Sequence, residues 1–264
     1  MIQHPCVPII INEKLSKDLF KIVFRSKDLA SGLRPGNFVH IRVSPEMDPL
    51  FRRAMSIYSC ENDTFSVLFR AIGKGTGLLS KMREGDTVDI LGPLGNSFDP
   101  PDKDETVILV AGGTGVPPLH FLAQWLLSNY GFDGQQILFL CGISSADDLP
   151  LSEAVEHLDT QMRTSSDDGS VGFKGYVSEL LKTEALPYDI KKLRLYTCGP
   201  VPMLREVTKI CAEQGIRCQV SLEGHMPCGI GTCLGCVVQS TRGEDEFDRI
   251  CMEGPVFDSN EVLI

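Results

Sequence analysis

The chain has 264 residues, of which 42% are hydrophobic and 23% are charged, as is ordinary for a globular protein. This length suffices for two compact domains and a small appendage. The formal net charge of −10 argues against a nucleic-acid-binding protein, because no basic stretch is present to neutralise phosphates. No apolar run approaches the roughly 18 residues that a membrane-spanning helix needs, so no membrane contact is expected.

The first hundred residues consist mainly of short segments rich in β-branched and aromatic side chains. Turn-forming sequences, such as residues 34–37 and 84–86, separate them. Many short strands at close spacing are typical of an antiparallel barrel. The predicted strands are residues 7–11, 19–25, 38–43, 64–70 and 87–91, with residues 57–58 also strand-like.

The pattern changes after residues 99–102, which we interpret as a linker. Continuous apolar runs follow, as expected of strands buried on both faces, and they alternate with helical patterns. Such alternation predicts a parallel α/β sheet, after which comes a small module of loops and short strands. The predicted strands are 106–111, 136–141, 193–197 and 218–222, the predicted helices are 117–128, 153–158 and 201–214, and the acidic run 243–248 is interpreted as a solvated loop.

Four cysteines near the C-terminus carry the strongest signal. Cys228, Cys233 and Cys236 follow the pattern C-x4-C-x2-C, and Cys251 comes later, which is the spacing of plant-type [2Fe–2S] ferredoxins. The glycines between them leave room for inorganic sulfide and backbone N–H donors. We therefore predict an iron–sulfur cluster with these four ligands.

Disulfide bonding and zinc binding are the alternative roles for the four C-terminal cysteines. Disulfides are disfavoured because the N-terminus lacks the basic start and apolar core of a secretory signal. Zinc sites usually show two C-x2-C pairs, and only one pair here has that spacing. Most of the six remaining cysteines are expected to act as small hydrophobic side chains in strands or helices. A reducing, cytoplasmic setting suits both the cluster and the free thiols.

Two glycine-containing loops indicate a nucleotide site. Residues 111–118 follow a predicted strand and open a helix, whose N-terminus offers free N–H donors to phosphate. Pro118 replaces the third glycine of the dinucleotide fingerprint G-x-G-x-x-G, so this loop alone is also compatible with a simple turn. Residues 197–203 form a second strand-to-helix loop, and such loops meet at the carboxyl edge of a parallel sheet, where ligands bind.

The strand-rich half contains a candidate flavin site. Arg53 and Ser56, three residues apart, are suited to face a diphosphate and to hydrogen-bond a flavin ring, although a surface arginine is the simpler interpretation. Residues 68–70 add a second cation, and residues 73–77 add a glycine-rich loop that would accommodate phosphate.

In this order, the motifs make the chain similar to the ferredoxin reductase superfamily. Residues 221–236 and 251–257 narrow the resemblance to the electron-transfer subunit of the NAD-dependent (type B) dihydroorotate dehydrogenase. The resemblance implies an antiparallel FAD-binding β-barrel over residues 1–100. It also implies a parallel α/β NAD-binding domain over 101–220 and a [2Fe–2S] module over 221–264.

The resemblance also implies roles for individual residues. It assigns FAD binding to Arg53, Ala54, Met55, Ser56, Leu68, Phe69, Arg70, Gly75 and Thr76. It assigns NAD binding to Gly112, Gly113, Thr114, Gly115, Cys198, Gly199 and Pro200, and cluster ligation to Cys228, Cys233, Cys236 and Cys251. It assigns no catalytic residue and leaves open the roles of Glu223, His225 and Met226. Ala54 stands where the family has proline, and Pro227 where alanine is expected.

The implied function is electron transfer in pyrimidine (UMP) biosynthesis. Electrons would pass from the FMN of a separate catalytic subunit to the cluster, to FAD and to NAD⁺, in a heterotetramer of two catalytic and two electron-transfer subunits. The chain has no room for a (β/α)₈ barrel of ~250 residues, so it should not oxidise dihydroorotate alone. NAD is preferred over NADP because residues 164–170 hold two carboxylates and no arginine.

Two alternatives remain at this stage. The same architecture serves as the flavin subunit of NADH-dependent ferredoxin:NADP or sulfide oxidoreductases. A zinc-binding regulator that keeps the fold without redox activity is the other.

Overall fold

The computed structural model of the chain describes residues 2–185 and 188–264. Within them the strands form two seven-stranded sheets and one two-stranded hairpin. The first sheet contains β1 (Ile2–Lys14), β2 (Leu19–Arg25), β3 (Phe38–Arg42), β4 (Arg53–Ser56), β5 (Ser59–Glu61), β6 (Thr64–Arg70) and β7 (Thr87–Leu94), with the short helices α1 (Lys27–Gly32) and α2 (Lys74–Leu79) between strands.

This first sheet is antiparallel and curls back on itself. Its strand order is β4-β3-β7-β1-β2-β6-β5, so β4 and β5 lie at opposite edges although only Ile57 and Tyr58 separate them in sequence. A chain that passes from one edge to the other in two residues requires a curled sheet. The predicted antiparallel barrel is confirmed in this form, but residues 57–58 join the edges instead of forming a strand.

The second sheet is parallel except for its last strand. It contains β8 (Thr106–Gly112), β9 (Ile137–Ile143), β10 (Gln161–Ser166), β11 (Phe173–Lys174), β12 (Leu193–Cys198), β13 (Arg217–Ser221) and β16 (Val256–Asp258), in the order β11-β10-β9-β8-β12-β13-β16. The helices are α3 (Val116–Trp125), α4 (Leu149–Glu156), α5 (Val177–Glu184) and α6 (Val201–Gln214). The predicted α/β sheet is confirmed.

Burial on both faces explains the apolar run of β8. Val107 and Leu109 pack in one cluster with residues of α3 and α4, whereas Ile108 and Val110 pack in another with residues of α5 and α6. The helix predicted at 153–158 begins earlier, at Leu149, and strand β10 and helix α5 were not predicted.

The C-terminal module contains the hairpin of β14 (Val237–Gln239) and β15 (Phe247–Arg249). β16 leaves the module and pairs antiparallel with β13, which ties the module to the second sheet. The prediction of a fully solvated loop at 243–248 is wrong at its end, because Asp248 is buried in β15 and pairs with Arg242 at 2.5 Å.

Specific contacts fix the barrel against the α/β sheet. The Tyr58 hydroxyl donates to the Ala154 carbonyl oxygen at 2.6 Å, and the Tyr58 ring stacks on His120 at 4.0 Å between centroids. Arg70 at the end of β6 pairs with Asp18 at 2.7 Å and with Asp148 in the second domain. Of the helices in the described ranges, none is long and apolar enough to cross a membrane.

Candidate functional site: a four-cysteine loop beside two nucleotide crevices

The four predicted cluster ligands come together in the C-terminal module. Cys228, Cys233 and Cys236 lie in the loop before β14, and Cys251 directly follows the β15 segment. The Cys228 and Cys233 thiols lie close enough to influence each other's pKa, as do those of Cys236 and Cys251. Cys233 is exposed, whereas Cys236 and Cys251 are buried.

The loop turns its backbone N–H groups toward the sulfur atoms. The N–H of Ile230 donates to the Cys228 Sγ at 3.5 Å, that of Gly231 to the Cys251 Sγ at 3.2 Å, and that of Gly235 to the Cys233 Sγ at 3.4 Å. Gly231 has φ +76°, a backbone conformation that favours glycine. Donors of this kind stabilise thiolates, the form in which cysteine binds metal.

The thiol pKa values reflect these surroundings. At Cys228 burial raises the pKa, but the backbone N–H groups of Ile230 and Cys233 outweigh it and bring the pKa to about 7. At Cys251 burial, and then the neighbouring Cys236, raise the pKa to about 12. The exposed side of the site therefore favours thiolate more than the buried side does.

The donor set fits a binuclear cluster. In the part of the chain that the structure describes, no three His, Cys, Asp or Glu side chains are grouped so as to hold a single metal ion. Two pairs of thiols match a [2Fe–2S] cluster, in which each iron takes two protein ligands, better than the single tetrahedral site that zinc takes.

The first flavin segment forms edge strand β4 of the barrel. Met55 points into the barrel core, while Ala54 packs with the core of the C-terminal module. Ser56 ends the strand and pairs in register with Phe38 of β3. Ala54 and Ser56 therefore lie on the strand face that the cluster module covers.

The guanidinium of Arg53 is available to bind an anion. Its guanidinium donates to the Phe51 carbonyl oxygen at 2.5 Å, and no carboxylate among the described residues pairs with it. It lies directly against Gly75 of α2, where an added Cβ would overlap its Nε and Cζ. An uncompensated arginine over a glycine-rich turn suits a diphosphate. The neighbouring Arg52 is different, since Asp89 holds it at 2.7 Å.

The remaining flavin candidates have other contacts. Leu68 packs into the core shared with the α/β domain and Phe69 into the barrel core. The guanidinium of Arg70 is engaged by two carboxylates, and Thr76 Oγ accepts the Gly73 N–H at 3.1 Å. Of the remaining candidates, Gly75 lies against Arg53, whereas Leu68, Phe69, Arg70 and Thr76 make the other contacts given above.

The predicted NAD loops meet at the centre of the second sheet. Strand order reverses between β8 and β12, and the loops after these two strands form the crevice where ligands bind in open α/β sheets. They pack backbone to backbone, because an added Cβ at Gly115 would overlap the Cys198 carbonyl. At Gly199 an added Cβ would lie 3.0 Å from the backbone nitrogen of Gly112. Gly113 and Thr114 form the turn that leads into α3, and Pro200 caps α6.

Glu223, whose role the sequence left open, is exposed and lies near Cys198 of the second NAD loop. Burial raises the pKa of the Cys198 thiol, and the nearby Glu223 carboxylate raises it further. The surrounding protein also raises the pKa of Glu223, although solvent reaches its side chain. A carboxyl group with a raised pKa beside the predicted nicotinamide loop is therefore a feature to which the sequence assigned no role.

His40 is a second such feature. It lies fully buried on the outer face of β3, in register with Ala54 of the flavin strand. Burial, and then the charge of Arg52, lower the pKa of His40 to about 4, so the ring is neutral. A histidine in the apolar strand 38–42 was the available signal.

Comparison with known proteins agrees with this geometry. The chain matches models of an oxidoreductase FAD-binding domain at residues 7–98 and an oxidoreductase NAD-binding domain at 109–209. Residues 223–263 match the iron–sulfur cluster binding domain of dihydroorotate dehydrogenase B.

Relatives match over the whole chain. The dihydroorotate dehydrogenase B (NAD(+)) electron transfer subunit of Bacillus mycoides (strain KBAB4) is 36% identical, with 97% of each chain covered. That of Geobacillus sp. (strain WCH70) is 33% identical, with both chains covered completely. The chain belongs to this family.

Membership of the dihydroorotate dehydrogenase B electron transfer subunits confirms the predicted cofactors: FAD, NAD and a [2Fe–2S] cluster. A solved structure of an NADH-dependent reduced ferredoxin-NADP oxidoreductase is 27% identical, with a TM-score of 0.83 over 98% of this chain and 90% of that chain. The whole-length relatives nevertheless disfavour the alternative of a ferredoxin:NADP or sulfide oxidoreductase subunit.

Proposed function

We propose that this chain carries electrons released by dihydroorotate oxidation to NAD⁺ in UMP synthesis. A separate FMN-containing catalytic subunit would oxidise dihydroorotate. The observation that carries the proposal is the packing of the four-cysteine module on the flavin strand: Cys236 and Cys251 share one core with Phe38 of β3 and Ala54 of β4. Bound FAD would convert between single electrons and the hydride of NAD.

The chain's own residues would bind and orient these groups. Arg53, placed beside Gly75, would hold the flavin diphosphate, and Ser56 would orient the ring. Residues 112–115 would receive the NAD phosphates at the start of α3, and residues 198–200 would position nicotinamide. In this proposal residues 1–100 form the FAD-binding domain, residues 101–220 the NAD-binding domain and residues 221–264 the cluster module.

The preference for NAD follows from the end of β10. Asp167 and Asp168 come directly after this strand, at the carboxyl edge of the sheet. Ser170 hydrogen bonds lower the pKa of Asp168, which keeps it ionised. A carboxylate at this edge suits the ribose hydroxyls of NAD and repels the 2′-phosphate of NADP.

The catalytic subunit would dock on the exposed side of the four-cysteine loop. Cys233 is exposed there, and the next residue, Leu234, is 62% exposed and lines a surface pocket with Phe247, which is 55% exposed. Such a patch is typical of an interaction surface. We propose a heterotetramer of two catalytic and two electron-transfer subunits. We place it in the cytoplasm, the setting that pyrimidine synthesis implies for the dihydroorotate dehydrogenase relatives.

The isolated chain tests this division of labour. Purified anaerobically with both cofactors, it should oxidise NADH with an artificial acceptor, oxidise NADPH with a lower kcat/KM, and leave dihydroorotate unchanged. Dihydroorotate oxidation by the pure chain would contradict the separate catalytic subunit. A higher kcat/KM with NADPH would contradict the role of Asp167 and Asp168.

A further inference from the structure

His40 is buried without a hydrogen-bonding partner. Its side chain has 0% exposure, and among the described residues neither Nδ1 nor Nε2 has a partner. Buried polar groups in proteins are almost always hydrogen-bonded, and an unpaired one is costly. The other buried histidine, His120, follows this rule: its Nδ1 lies 2.8 Å from the Tyr58 carbonyl oxygen.

The unpaired nitrogens of His40 lie beside the cluster loop. A Cβ added at Gly229 would lie 2.9 Å from both Nδ1 and Nε2 of His40 and 2.7 Å from its Cε1. These nearly equal distances place the added Cβ above the plane of the imidazole, so the ring face packs on the residue that follows Cys228 and both nitrogens lie beside the loop. Gly229 has φ +68°, so the loop turns at this contact.

The chemistry of the loop decides what His40 can bind. A neutral imidazole has one N–H donor and one acceptor nitrogen. The loop N–H groups of Ile230, Gly231 and Gly235 already donate to cysteine sulfurs. Thiolates and inorganic sulfides accept hydrogen bonds and donate none, so a cluster in this loop would supply the acceptor that the His40 N–H lacks.

We propose that His40 is a positioning residue of the cluster site, whose ring N–H donates to a sulfur of the cluster or of its ligands. The inference rests on the proposed function only in that the chain holds a [2Fe–2S] cluster. Hydrogen bonds to the sulfurs raise the reduction potential of such clusters. Since β3 pairs with flavin strand β4, His40 lies between the elements that bind the two redox groups.

Two substitutions separate the hydrogen bond from packing. In His40→Phe the ring fills similar space without a hydrogen-bond donor, whereas in His40→Gln the side-chain amide still provides an N–H donor. We expect His40→Phe to retain iron but to show a lower cluster potential and a changed EPR spectrum, with His40→Gln closer to wild type. The matched control His120→Phe should keep the wild-type potential. An unchanged potential and EPR spectrum in His40→Phe would overturn the proposal.

A second measurement needs no variant of His40. Pulsed EPR of the reduced wild-type chain, labelled with ¹⁵N-histidine, should show coupling of the cluster to a histidine nitrogen. The coupling should persist in His225→Asn, since His225 is the other histidine close in sequence to the loop. No histidine coupling in wild type, or its loss in His225→Asn, would also overturn the proposal.

The outcome is separable from the identity of the partner. Neither measurement uses dihydroorotate or a second subunit, so a different electron donor would leave the His40 result standing. A chain that takes up no iron would contradict the proposed function and this inference together. Iron uptake without the His40 effects would contradict the inference alone.

Discussion

At Gly75, Gly115 and Gly229 the missing side chain lets two functional segments touch. Gly75 receives the Arg53 guanidinium, Gly115 the carbonyl of the second NAD loop, and Gly229 the His40 ring. Each contact joins parts of the chain that are distant in sequence. An added methyl group would force two backbone segments apart at Gly115, whereas at Gly75 and Gly229 it would displace a side chain.

Gly75→Ala should weaken FAD binding. The added methyl group overlaps the Arg53 guanidinium and would displace it from the position proposed for the flavin diphosphate. Losing one charge-assisted contact corresponds to about tenfold or more in Kd. Flavin fluorescence during titration of the FAD-depleted chain measures this change.

Gly77→Ala is the matched control on the same helix. An added Cβ there meets nothing within 4 Å, and alanine favours helix, so FAD affinity should stay at the wild-type value. Equal Kd values for Gly75→Ala and wild type would show that Arg53 does not hold FAD from this position.

Site residues that belong to a sequence motif could be predicted, whereas residues whose role depends on a contact formed by folding could not. The four cysteines are recognisable because ligand spacing is local. His40 and Glu223 are not, because their partners at residue 229 and residue 198 are brought close only by folding. The sequence equally does not show which of the two adjacent arginines is paired: Asp89 forms an ion pair with Arg52 and leaves Arg53 available for a ligand.

Among the elements, the β14–β15 hairpin aligns Cys236 with the segment that carries Cys251. Arg242 in its turn pairs with the buried Asp248, 8% exposed, and with the exposed Glu246, 56% exposed. A buried carboxylate depends on its partner far more than an exposed one does. The hairpin therefore offers a matched pair of substitutions.

Asp248→Asn should make the cluster leave the protein several-fold faster than in wild type, because the Arg242 pairing that closes the hairpin is lost. Glu246→Gln should behave like wild type, since surface pairs contribute little. The decay of visible absorbance in the presence of an iron chelator measures both rates. Equal rates for the two variants would exclude a role of the buried pair in cluster retention.

The elements predicted best are those whose burial is uniform. β8 is buried on both faces, so its apolar run was decisive. β10 lies near the edge of the sheet, where only the two-residue β11 follows it, so most of the strand is not fully buried and its sequence is polar. Its pattern therefore resembled a loop. Helix α5 did carry a signal: Val177, Leu180 and Leu181 are buried at helical spacing, in a segment of only eight residues.

For the whole molecule, the fit between the barrel and the α/β sheet decides whether electrons can pass between their sites. The order of domains was predictable from the order of motifs. Their mutual packing was not, since Tyr58, His120 and Arg70 occupy no recognisable pattern. The interface depends on a neutral histidine, because burial lowers the pKa of His120 to about 4. The hydrogen bond to the Tyr58 carbonyl raises this pKa, whereas the charges of Lys21 and His157 lower it further.

Acid should therefore loosen this interface. The unfolded chain binds a proton at His120 near pH 6.5, whereas the folded chain resists it until about pH 4, so stability falls as the pH drops through this window. From pH 7 to pH 5 the loss attributable to His120 is about 2 kcal/mol.

In His120→Gln, which cannot be protonated, the unfolding free energy should fall less over this range than in wild type. Urea titrations of both proteins at each pH give the difference and cancel effects common to both. Parallel pH profiles would show that His120 is not held neutral by the fold.

Dihydroorotate-dependent NAD⁺ reduction should be measured first, on this chain purified anaerobically from its native cells with whatever binds it. We expect NADH formation, with FMN in the co-purified subunit and FAD and iron in this chain. A preparation that contains flavin and iron and is bleached by NADH, yet forms no NADH from dihydroorotate, would contradict it and assign the chain to a different electron donor.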